Sequence, residues 1–146
     1  MKIQVRRIGN DGMDQNESFP VDLIGLTQKD ILTFISPFEI SAKIIRGDDE
    51  ILAKITAKSC YDATCGRCLE AVTQDWSTEF TLIFDARKYS EFIEMDEDIR
   101  QELILNLPAH ILCRTDCKGL CVDCGVNLNT QECKHKHAVT AGTSSP

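Results

Sequence analysis

Phe38-Glu39-Ile40-Ser41-Ala42-Lys43-Ile44 alternates apolar and polar side chains without a break. A period of two marks a strand with one dry face and one wet face. Gly47-Asp48-Asp49 then supplies a turn. Beyond it Ile51, Ala53, Ile55 and Ala57 alternate again, against Leu52, Lys54, Thr56 and Lys58. A third stretch sets Val72, Gln74, Trp76, Thr78, Phe80, Leu82 and Phe84 on one face, with Asp75, Ser77, Glu79 and Thr81 on the other. Three such stretches joined by short connections predict an antiparallel β-meander over residues 38–85.

Toward the C-terminus, Asp85 to Glu94 reads as a polar connection. Residues 96–107 read as a helix: Ile99, Leu103, Ile104 and Leu107 form one apolar stripe. Asp96-Glu97-Asp98 sit in its first turn, where the helix dipole favours acids, and Pro108 stops it. The stripe is expected to pack on the dry face of the sheet, since a three-stranded meander alone buries too little. Toward the N-terminus, Lys2 to Arg7 suggests a first strand and Asn10 to Ser18 a loop. Thr27 is a reasonable N-cap for a helical turn over Gln28 to Phe34, ended by Pro37. The expected class is α+β: an antiparallel β-meander packed against one helix, with a Cys-rich zinc-knuckle segment over residues 109–137. Residues 1–137 are read as one domain and 138–146 as a disordered tail.

The 146 residues suffice for a domain with a core, and 42% hydrophobic with 27% charged residues is a globular balance. No secretory signal or stretch of about 20 apolar residues appears, so the expected location is the cytoplasm, with no membrane partner. The net charge of −7 argues against gripping nucleic acid by bulk charge alone. A contact with RNA would need a local basic patch or a protein intermediary. Lys2, Arg6 and Arg7, and Lys134, His135, Lys136 and His137, are patch candidates, or simply solvated charges.

Eight cysteines are the unusual feature. In a reducing compartment such a density points to metal rather than disulfides. Cys65-Gly66-Arg67-Cys68 falls where a hairpin turn belongs, and Cys121-Val122-Asp123-Cys124-Gly125 is a second knuckle; each Cys-x-x-Cys offers half of a tetrahedral zinc site. Gly125 suits a bend that turns backbone amides toward sulfur. Seven cysteines and one histidine make two sets of four: Cys65, Cys68, Cys113 and Cys117, then Cys121, Cys124, Cys133 and His135. His137 could replace His135, and a single site from Cys65, Cys68, Cys121 and Cys124 is a further partition. Cys60 stands apart and reads as a buried strand thiol. The expected cofactor is one or two structural zinc ions, closed by protein ligands with no open position for water. Without zinc the segment after Pro108, poor in large apolar side chains, is expected to unfold while the sheet survives.

Cys65-Gly-Arg-Cys68-Leu69-Glu70, Glu102-Leu-Ile-Leu-Asn-Leu-Pro108, Cys117-Lys-Gly-Leu-Cys121-Val-Asp-Cys124-Gly-Val-Asn-Leu-Asn129 and Cys133 follow in order. This series resembles the YceD family of large ribosomal RNA subunit accumulation proteins over about residues 38–135. His135 departs from the pattern, standing where many members have a cysteine. The resemblance implies a role in synthesis, processing or stability of large-subunit ribosomal RNA. The implied partner is a precursor large ribosomal subunit, contacted through its RNA or through a protein, with no small-molecule substrate and no catalytic residues. Arg67, Arg114, Lys118 and Lys134 lie among the ligands. They could meet phosphate or offset thiolate charge. Two other readings are a zinc-ribbon module for transcription and a thiol-disulfide enzyme using Cys65 and Cys68; the latter expects the motif at a helix N-terminus. No phosphate-binding glycine loop or Gly-x-Ser-x-Gly appears, and Asp96-Glu97-Asp98 reads as a helix start rather than a carboxylate dyad.

Overall fold

The computed structural model describes residues 1–25 and 32–135. The chain forms two compact units, one from Met1–Ala63 with Thr73–Ala109, the other from Thr64–Val72 with the chain from His110 onward. Among the described residues no helix is long and apolar enough to cross a membrane.

The first unit is mostly antiparallel sheet with one helix, an α+β arrangement. Its strands are β1 (Lys2–Gln4), β2 (Met13–Phe19), β3 (Leu32–Phe34), β4 (Phe38–Arg46), β5 (Glu50–Thr64), β6 (Ala71–Asp85) and β7 (Phe92–Glu94), followed by helix α1 (Asp96–Leu105). The three alternating stretches are β4, β5 and β6, and they form the expected meander. β5 organises the sheet because it is 15 residues long. It pairs with β4 along Ile51–Lys58 and with β3 at Tyr61–Ala63, and β6 also lies against it.

Between those two partners the ladder is interrupted, and Ser36 bridges the break. Its hydroxyl accepts from Cys60 N at 2.8 Å, and its carbonyl accepts from Ser59 Oγ at 2.8 Å. Ile35 N donates to Cys60 O. Ser59, although 9% exposed, therefore leaves no polar group stranded.

The dry face is the one the alternation specifies. Phe38, Ile40, Ala42 and Ile44 of β4 and Ile51, Ala53, Ile55 and Ala57 of β5 are all buried. Phe34, Phe38, Tyr61 and Trp76 cluster, with Phe34 and Phe38 ring centroids 4.6 Å apart. α1 buries Ile99 and Leu103. Trp76 Nε1 donates to Asn106 O at the helix C-terminus, on the dry side of β6. Arg100 Nε donates to Leu23 O, tying α1 to the 3-10 turn Val21–Ile24. The helix ends at Leu105 rather than 107: Asn106 N still bonds to Glu102 O, but Leu107 N turns to Ile104 O in a tighter three-residue turn just before Pro108.

Four expectations need correction. The first strand stops at Gln4 and tightens into a 3-10 turn at Val5–Arg7. Residues expected as a loop from Asn10 to Ser18 contain β2, which pairs with β4 from Met13↔Ile44 to Phe19↔Phe38. β2 carries almost no apolar signal because its neighbour β4 already supplies the ladder, and its own side chains are mostly solvated. Gly12, at φ +85, enters it where a Cβ would stand 2.7 Å from Ile44 O. Of the helical turn expected over Gln28 to Phe34, Leu32–Phe34 is strand β3; Thr27 and the rest lie outside the described residues. The polar connection after Asp85 includes β7, which pairs with β1 through Ile3↔Ile93. Lys136, His137 and the tail 138–146 lie outside the described residues.

Candidate metal centres

The second unit has no helix among its described residues. Its one short β-bridge there joins Leu120 and Asn127. Cys65, Cys68 and Cys117 form its buried cluster, with Val72, Leu112, Cys113 and Leu120 packed around them. Thiols occupy the place of a hydrocarbon core.

The turn between β5 and β6 carries the first knuckle. Cys65 N donates to Glu70 O, and Leu69 N donates back to Cys65 O with Leu69 in the left-handed region at φ +61. Gly66 N donates to Ile111 O, which brings the segment holding Cys113 and Cys117 alongside. Cys65 Sγ then lies 3.8 Å from Cys117 Sγ, and Cys68 Sγ lies 3.6 Å from Cys113 Sγ. A tetrahedral ion with zinc–sulfur bonds of about 2.3 Å spaces its sulfurs by about 3.8 Å, whereas a disulfide requires about 2.05 Å. The four ligand atoms all lie within 4.8 Å of one another.

The second knuckle closes on itself. Cys121 N donates to Val126 O and Gly125 N to Cys121 O. The amides turned toward sulfur are those of Asp123 and Cys124, at 3.3 and 3.4 Å from Cys121 Sγ. Gly125, at φ +74, makes the bend but does not itself donate to sulfur. Cys133 Sγ lies 3.4 Å from Cys121 Sγ, 3.5 Å from Cys124 Sγ and 3.0 Å from His135 Nδ1. These four also lie within 4.8 Å of one another.

Each of the two groups could hold a metal ion, and the all-sulfur and sulfur–imidazole donor sets are of a kind compatible with zinc. Cys121 and Cys124 lie in the second group rather than beside Cys65 and Cys68. Cys60 belongs to neither. It is half-buried rather than buried, on the face of β5 opposite the apolar one, and burial followed by the nearby Asp75 carboxylate pushes its pKa up.

Electrostatics gives both groups the same imbalance. Backbone amides of Cys68 and Arg67 lower the Cys65 thiol to about 6, and the Asn129 side chain lowers Cys117. Burial, reinforced by its thiol neighbours, pushes Cys113 up to about 12. In the second group burial pushes Cys121 up, but the amides of Cys124 and Asp123 outweigh it and bring the thiol to about 6. Cys133 rises to about 11 although the His135 amide acts to lower it. Sulfurs this close cannot all ionise against one another, and a divalent cation between them removes the conflict.

Supporting residues not anticipated from sequence are Asn127, Asn129 and Glu70. Asn129 Nδ2 donates to Cys117 Sγ at 3.3 Å, while its Oδ1 accepts from Lys118 N and Arg114 Nη2. Asn127 Nδ2 donates to Glu70 Oε1, and its Oδ1 accepts from Asn129 N and Nδ2. The Asn-x-Asn spacing after the second knuckle was the available signal. Of the basic residues, Arg67 donates to Cys117 O and Arg114 pairs with Asp116; Lys118 and Lys134 are exposed.

Residues 53–142 match the sequence model of a family described as large ribosomal RNA subunit accumulation protein YceD. Uncharacterized proteins of Mycobacterium bovis and Mycobacterium tuberculosis are each 35% identical over 85 residues, covering 53% of this chain and 41% of theirs. An uncharacterized protein of Mycobacterium leprae is 24% identical over 114 residues, covering 67% of this chain and 52% of its own. The chain spans about half the length of these relatives or less. No solved structure matches it. The family match covers both knuckles and well over half of the sequence, and the chain belongs to the YceD family.

Proposed function

We propose that this protein is a non-enzymatic factor, held in shape by two structural zinc ions, that supports synthesis, processing or stability of large-subunit ribosomal RNA in the cytoplasm. The ligands on this reading are Cys65, Cys68, Cys113 and Cys117 at one centre and Cys121, Cys124, Cys133 and His135 at the other. One observation carries it: two separate quartets of metal-type donors lie within the family-matching segment, in the unit whose buried cluster is made of thiols. Four protein donors per ion leave no position at which to activate water, so the metal's contribution is folding energy. The partner on this reading is a precursor large subunit, met through its RNA or through one of its proteins.

A thiol-disulfide enzyme is disfavoured because Cys65-Gly-Arg-Cys68 sits in a turn between two strands, without the helix N-terminus that activates such nucleophiles. A transcriptional zinc ribbon is disfavoured by the net charge of −7. The test is gradient co-sedimentation with precursor large subunits, combined with crosslinking to RNA and protein. Expected is co-migration with the precursor and not with mature subunits. Migration only at the top of the gradient, with large-subunit RNA unchanged on depletion, overturns the reading.

A further inference from the structure

The longest strand edge in the sheet is the outer edge of β6. Among the described residues β6 has β5 as its strand partner. Its 15 residues run from Ala71 to Asp85 with no Pro, Gly, Lys or Arg among them. Natural sheets blunt such edges with lysine, proline or a bulge, because an open edge pairs with any extended chain that reaches it. β6 carries neither lysine nor proline, and its charged residues are all acids.

The edge also offers apolar surface on both faces. Phe80 and Leu82, on the dry side, are only half-buried. Ile83, on the other side, is 62% exposed. Thr73 Oγ1 bonds to Asp62 Oδ1, and Tyr61 OH to Gln74 Oε1. That register, carried along the strands, sets Ile83 beside Leu52, itself paired with Ile45. Three partly exposed aliphatic side chains thus form a row that ends at the β6 edge. β2, whose outer edge is also at the margin of the sheet, is polar along Asp14–Ser18 and offers no comparable gain.

Charge selects the occupant. The acids of β6 are Asp75, Glu79 and Asp85, with no cation in the strand; Glu79 pairs with Lys54 of β5 and Asp85 with Arg87 in exposed ion pairs, so Asp75 is the carboxylate on which a partner's cation would chiefly act. A cavity of about 480 Å³ opens beside it, lined by Glu39, Lys58, Cys60, Asp75, Trp76 and Ser77 among others. Two of those groups are carboxylates and one is a cation. A second copy of β6 would set like charges together, and a nucleic acid would set phosphates against carboxylates.

We propose that the outer edge of β6, from Ser77 to Asp85, docks an extended, basic segment of a partner protein. The segment adds to the sheet as a further strand and places a lysine or arginine in the cavity beside Asp75. Main-chain hydrogen bonds supply the attachment and the carboxylates supply the choice of partner. This surface lies on the sheet and does not depend on the metal reading, so the two fail separately.

The test uses the full-length, metal-loaded protein and an acetylated peptide of alternating lysine and valine. Controls are a glutamate–valine peptide and the lysine–valine peptide with alternate backbone nitrogens methylated. Exchange of the outward-pointing amides within Ser77–Asp85 should slow by about tenfold or more with the lysine peptide alone. Asp75→Lys combined with Glu79→Lys should weaken that peptide by about tenfold or more. If that variant fails to fold, the glutamate–valine peptide makes the same charge discrimination on the unaltered protein. Equal binding of either control overturns the proposal, as does protection confined to other segments. Outward-pointing amides of β6, those not directed at β5, already protected in the free protein also overturn it: sedimentation as a dimer then assigns the edge to a second copy, and as a monomer to the chain's own residues.

Discussion

Gly119 and Gly125 both adopt positive φ beside the second knuckle, at +77 and +74, yet their surroundings differ. A Cβ on Gly119 would stand 3.1 Å from Arg67 O, whereas nothing lies within 4 Å at Gly125. Gly125→Ala should therefore cost only the left-handed strain, about 1–2 kcal/mol, and Gly119→Ala measurably more, read from chemical denaturation of the metal-loaded protein. Asn129 makes a second residue-scale case. Its amide donates to the Cys117 sulfur while its carbonyl oxygen takes the Lys118 amide. Asn129→Ala should weaken metal binding at the first centre by about 10- to 100-fold and leave the second unchanged, measured by competition with a chromophoric chelator. Equal weakening at both would show that Asn129 acts on the unit as a whole.

At the scale of elements, the informative case is the change of partner along β5. The strand is longer than either neighbour on that side, and Ser36 supplies with its side chain what the ladder omits. Ser36→Ala leaves Cys60 N without its acceptor and should cost about 1–3 kcal/mol, seen as a lower denaturation midpoint with the metal content intact. The same contrast explains which strands were legible. β4, β5 and β6 pair while burying one face, so period two is written into them. β1, β3 and β7 are three residues each, too short for any period, and β2 is too polar. β2, β3 and β7 exist because a neighbour's backbone is in reach, and no side-chain pattern records that; of the four, only β1 left a trace, in the alternation that begins at Lys2.

For the whole molecule, the two units rest on different forces. The first buries aliphatic and aromatic side chains between sheet and helix. The second has thiols at its centre. Chelation of the proposed zinc should therefore make residues 110–135 protease-sensitive and raise the count of reactive thiols, while the far-ultraviolet signal of the sheet persists. Acid should do the same. Cys65 and Cys121 have pKa values lowered to about 6. Such a thiol is ionised in the metal-free site above about 6, and a bound cation would hold it ionised further down, so metal should be retained at neutral pH and released progressively as acid protonates the sulfurs. Metal content across a pH series checks this. The sequence by itself determined the meander, the helix and the eight candidate ligands, because periodicity and ligand chemistry are local properties of the chain. Only the tertiary structure decided which sulfurs meet, which short strands exist and which asparagine donates to a thiolate, because these depend on backbone segments brought together from distant parts of the chain.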